Sequence, residues 1–166
     1  MPIVDALLPE YDHELATTRR LLERVPETEF GWKPHEKSMT LGQLAGHIAN
    51  LPFWLSATMN APFYDVTAGD KEARLDPPES REVMLKEFDE KVSKARASLA
   101  KATDAEMMAP WALKSGGHEI FSMPRAAAVR SFVMNHLIHH RGQLSVYLRL
   151  QNVPLPSMYG PTADEQ

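Results

Sequence analysis

Three observations predict an all-α fold, a bundle of four long helices. Apolar residues recur at three- and four-residue spacing in four separate segments, and capping residues stand ahead of two of them. No convincing set of alternating segments is present to build a sheet instead. At 166 residues the chain is most economically one domain, 1–166, large enough to bury a single core.

The first helix is expected from about Ile3 to Arg24, where Val4, Leu8, Tyr11, Leu15 and Leu22 fall on one face. His13 lies on the opposite, solvated side. A loop with Pro26 and Pro34 ends at KSMT, where Thr40 and Gln43 have the spacing of a capping box. The helix they open, LGQLAGHIANLPFWLSATMN, carries Leu44, His47, Leu51, Trp54 and Leu55 on one stripe, and Pro52 is expected to kink it.

The stretch APFYDVTAGDKEARLDPP is turn-rich and reads as a long connection. Ser80 then caps a third helix reaching about Ala102, with Met84, Phe88, Val92, Ala95 and Leu99 inward. Between Thr103 and Pro124 the Gly116–Gly117 pair suggests a small hairpin excursion. A final helix from about Arg125 to Gln151 sets Val129, Phe132, Val133, His136, His140, Leu144 and Tyr147 within one broad stripe. Arg130, Arg141, Ser145 and Arg149 are assigned to its wet side. The loops are longer than an idealised bundle needs, long enough to cover one end or permit a crossover.

Composition narrows the function classes. A formal net charge of -4 gives no electrostatic reason to expect nucleic acid. The absence of cysteine removes disulfides, thiolate metal sites and a protein thiol nucleophile together. No basic leader precedes an apolar run, and no run approaches the roughly 20 residues of a membrane span. The expectation is a cytoplasmic protein without membrane or nucleic-acid partners.

The stretch NHLIHHRGQL holds three histidines, His136, His139 and His140. Residues four apart on a helix differ by only about 40° in direction. That spacing selects His136 and His140 as the inward pair and leaves His139 at the edge. His47 holds the equivalent place between Leu44 and Leu51 of the second helix. If those helices are neighbours, three imidazoles converge. Burying imidazoles among leucines is costly unless they are hydrogen-bonded or coordinated. Three neutral histidines around a divalent ion leave positions open for water or substrate. A lone inward histidine is more often satisfied by a carbonyl, and it is the third ring on another helix that favours a ligand set. HLIHH has Leu137 where the HExxH peptidase motif needs a glutamate. Inward Glu-x-x-His pairs, required by di-iron bundles, are missing too. A single-metal site fits best.

The blocks NHLIHHRGQLSVYLRLQNVPLPSMYGP and SMTLGQLAGHIANLPFW together resemble the DinB superfamily, and the resemblance covers most of the chain. Asn152 stands where many members have glycine, a departure compatible with a left-handed helix end. The resemblance implies a four-helix bundle with an unusual crossing order, often a homodimer. It implies a metal triad at His47, His136 and His140, with His139 a neighbour and not a ligand. Characterised relatives include thiol-dependent transferases and isomerases, and the damage-inducible members suggest a stress-related setting.

The expected function is therefore a metal-dependent transferase, with the triad acting through a divalent ion, zinc or nickel first. A low-molecular-weight thiol would add to an electrophilic small-molecule substrate. One alternative is a metal-dependent hydrolase of a small amide or ester, which would want a carboxylate base; Glu119 is the only candidate. The other is a non-enzymatic binding protein whose bundle is stapled by the metal. Gln43 and Gln143 are candidates to orient the ligands. Trp54 and Trp111 are core residues or pocket walls, and Arg141 is an ion-pair or loop anchor rather than a catalytic group.

Overall fold

The computed structural model describes residues 1–69 and 74–165, so residues 70–73 of the long connection lie outside it. Four long helices carry the fold, as expected: α1 (Ile3–Leu22), α2 (Leu41–Asn60), α3 (Arg81–Ala100) and α6 (Asn135–Leu150), with a short α4 (Asp104–Met108) and a first turn α5 (Arg125–Ala127). The expected caps form. Thr40 accepts from the N–H of Gln43 at 3.1 Å while the Gln43 side chain accepts from the N–H of Thr40 at 2.9 Å. Ser80 accepts from the N–H of Val83. A second capping box, between Thr103 and Glu106, opens α4.

The chain is not strictly all-α. Strands β1 (Phe63–Asp65), β2 (Pro110–Ser115) and β3 (His118–Pro124) form a three-stranded sheet in the order β1-β2-β3. The hairpin expected at Gly116–Gly117 is β2–β3, and both glycines have positive φ, 57° and 82°, as its tight turn requires. Strand β1 escapes a pattern search because it is three residues long and pairs in parallel with β2, whose residues lie 49 positions further along (Phe63 opposite Ala112). Asp65 fastens it by accepting from the N–H groups of Gly116 and Gly117 at 3.0 and 2.7 Å. Two bonds from Thr67, joined by these two, hold its carboxyl far below the usual carboxylate range.

Each of α1 and α2 packs against both α3 and α6. The interior they share is lined by Tyr11, Leu15, Leu44, Leu51, Phe88 and Leu144. Glycines at 42 and 46 let the chain pass close to α2: a Cβ at Gly42 would stand 3.0 Å from that of Phe30, and one at Gly46 3.0 Å from the Asp76 carbonyl.

The last helix departs from its predicted stripe. Residues Ala128–Met134 wind as a π-helix, whose bonds span five residues instead of four. The wider winding breaks the phase that a constant 100° step assumes. The fully buried line of α6 is Leu137, Arg141, Leu144 and Leu148, with the histidines on its flank. Arg141, assigned to the wet side, is 1% exposed. Its guanidinium meets the Glu14 carboxylate on α1 at 2.6 Å and donates to Thr18 Oγ1 and the Glu14 carbonyl. It also donates to the Tyr159 hydroxyl, which donates in turn to Glu14 at 2.8 Å. The expected anchor role stands; the expected exposure does not.

A second tie sets the register of α2 against the last helix. Arg125 donates to the Thr58 and Ala61 carbonyls, which end α2. Unpaired carbonyls at a helix end favour such a cation.

Removing one partner of the Glu14–Arg141 pair leaves a buried charge uncompensated. Glu14→Gln is expected to lower the unfolding free energy by about 3–5 kcal/mol in a urea titration. Glu14→Leu combined with Arg141→Met should restore most of it. A single-variant loss below about 1 kcal/mol would mean that the pair behaves like an exposed one.

Candidate metal centre

His47 lies eleven residues before Thr58, and His136 eleven after Arg125. The Arg125 tie joins those two reference points, and the helices run away from it side by side. Each histidine thus stands eleven residues from the tie on its own helix, and the two rings meet. His140 follows one turn later on the same flank of α6.

The three rings meet. Nε2 of His47 is 3.2 Å from Nε2 of His136. Ring centroids stand 5.0 Å apart for His47–His136, 4.6 Å for His47–His140 and 4.7 Å for His136–His140. One ring nitrogen from each lies within 4.8 Å of the others, and all three side chains are half-buried. Two nitrogens about 2 Å from a tetrahedral zinc stand roughly 3.3 Å apart, so the His47–His136 separation suits a shared ion. The donor set is neutral nitrogen, with no carboxylate in the cluster among the described residues.

Electrostatics keep the rings in the ligand form. Burial, then the neighbouring His140 and His136, push the His47 pKa down to about 4. Burial followed by His140 lowers His136, against a hydrogen bond to the Phe132 backbone that opposes the shift. Burial also lowers His140, against its bond to Gln143. At neutral pH the imidazoles are uncharged and their lone pairs available.

The other candidates sort clearly. His139 is exposed, its ring 4.9 Å from that of His140, and it stays outside the cluster. Gln143 does reach a triad member: its Oε1 is 2.7 Å from Nδ1 of His140. Gln43 uses its side-chain oxygen in the capping box. Glu119 is exposed on β3, opposite Lys114, and is not in the cluster. Trp54 and Trp111 are buried, and both pack against Phe132, whose ring is 6.1 Å from that of His136. Elsewhere, Trp32 and Tyr147 stand edge to face at 5.7 Å. Sequence reasoning missed this pairing because Trp32 lies in an irregular loop without periodicity.

A histidine whose folded pKa is depressed takes up its proton more readily when unfolded. Stability is then lost as pH falls from the ordinary value of about 6.5 toward about 4, and is flat below for that group. The urea midpoint of metal-free protein is expected to fall across that window, and less steeply in His47→Leu. Equal slopes for the two would mean that His47 is not shielded.

A family model described as the DinB superfamily matches residues 10–144. No curated protein matches the chain. Among solved structures, the chain is similar to a DinB-like protein from Bacillus cereus ATCC 10987, with a TM-score of 0.72 and 22% identity over 93% of this chain and 97% of that one. A DinB-like protein from Bacillus subtilis superposes with a TM-score of 0.69 and 18% identity, over 97% of this chain and 99% of that one. At such identities the structural likeness speaks for the fold. The match over most of the chain speaks for the family: this protein belongs to the DinB superfamily.

Proposed function

We propose that the chain binds one divalent metal ion, zinc or nickel first, through His47, His136 and His140, and works as a thiol-dependent transferase. The carrying observation is the convergence of three ring nitrogens within 4.8 Å of one another, drawn from two helices. An ion held by neutral ligands keeps its full double charge, lowers the pKa of a bound thiol or water and attracts anionic ligands.

The chain's own residues supply position and surroundings. The triad holds the reacting centre at a half-open flank of the bundle, where a small molecule can reach it. Phe132 and its aromatic neighbours offer an apolar wall on one side. The absence of cysteine from the chain is compatible with this, since the nucleophilic sulfur would come from a low-molecular-weight thiol. The partner in the reaction would be an electrophilic small molecule.

Hydrolysis of a small amide or ester is less well supported. It would call for a general base, and the carboxylate suggested for that role, Glu119, sits exposed on β3 outside the cluster. A purely structural metal is also a poorer fit, since structural zinc normally takes four protein ligands. Among the described residues no helix is long and apolar enough to cross a membrane.

Metal content per chain, measured on protein purified without a histidine tag, is expected to be about one divalent ion. His140→Ala and His47→Ala should each abolish it, while His139→Ala leaves it nearly unchanged. Wild-type protein that refuses added zinc and nickel would falsify the metal reading. With metal confirmed, a panel of small thiols tested against electrophiles is expected to show consumption that His140→Ala loses.

A further inference from the structure

A neutral imidazole has one N–H and one lone-pair nitrogen, and only the second can take a metal. Which nitrogen is which depends on what the other one touches. Nδ1 of His140 is 2.7 Å from Oε1 of Gln143, three residues further along α6. An amide oxygen only accepts, so the proton sits on Nδ1 and the lone pair on Nε2.

Nε2 of His140 is thereby left free on the side of the other two rings, where Nε2 of His136 stands 3.2 Å from that of His47. The winding of Ala128–Met134 is π-helical just ahead of His136, with the Asn135 N–H reaching back to Arg130. Short π-helical segments often mark functional sites, and here the segment adjoins the triad.

We propose that Gln143 is a positioning residue of the triad: it holds His140 as the Nδ1–H tautomer and leaves the lone pair of its Nε2 for the centre it shares with His47 and His136. In water the free side chain favours the opposite tautomer, so the arrangement is imposed by the fold. The proposal deepens the metal-binding reading and rests on it for affinity, but the tautomer is a property of the metal-free protein.

The test uses full-length metal-free protein labelled with 15N-histidine, at a pH above 7. Long-range proton–nitrogen correlations report which ring nitrogen is bare. The expected result is a bare Nε2 on His140. Gln143→Ala should return His140 toward the Nε2–H form and leave His136 as it was. Gln143→Glu should keep the Nδ1–H form, because a carboxylate accepts in the same place. In a zinc titration Gln143→Ala is expected to bind about tenfold more weakly or worse, and Gln143→Glu to recover most of the affinity.

A wild-type His140 protonated on Nε2 overturns the proposal. So does a tautomer indifferent to Gln143→Ala, the behaviour of an ordinary surface glutamine. The expected tautomer in a protein that takes up no zinc would support the hydrogen bond and overturn the metal reading alone.

Discussion

Glu14 and Arg141 face each other at 2.6 Å with almost no water around either. A pair in that position cannot slide, because a shift of one turn would leave two charges buried and apart. It fixes the last helix along its own axis and about it, against α1. Arg125 does the complementary task at the other end by holding the C-terminus of α2. Between those two fastenings the helix has one position, and His140 is the residue immediately before Arg141. The place of the triad follows from an ion pair that never touches it.

The site itself is a polar insertion in an apolar structure. Three imidazoles displace what would otherwise be leucines on the facing flanks of α2 and α6. That substitution costs packing and desolvation, and burial keeps the rings uncharged. Around them the contacts include the aromatic ring of Phe132 and the amide of Gln143.

Much of this was legible in the residues. Four helices, two of their caps, the hairpin and the convergence of His47 with His136 and His140 all follow from spacing, since a regular helix turns a list of positions into directions. The errors occurred where regularity ends. A π-helical segment shifts phase, so Arg141 was placed in water although its neighbours demanded a charge partner inside the bundle. Strand β1 is three residues long, and its partner is remote in sequence, so no local pattern announces it. Glu14 was overlooked because a glutamate beside leucines reads as surface until its arginine is known.

The two ligand-bearing helices also impose an order of events on synthesis. His47 and His136 are 89 residues apart in sequence. Helices α1, α2 and α3 emerge first, and α3 already packs against the other two. Until the last helix leaves the ribosome, the apolar residues it covers have no partner, the kind of surface that invites association during synthesis. Any ion taken up by the three histidines would then be a late arrival, since two of them come only with that last helix.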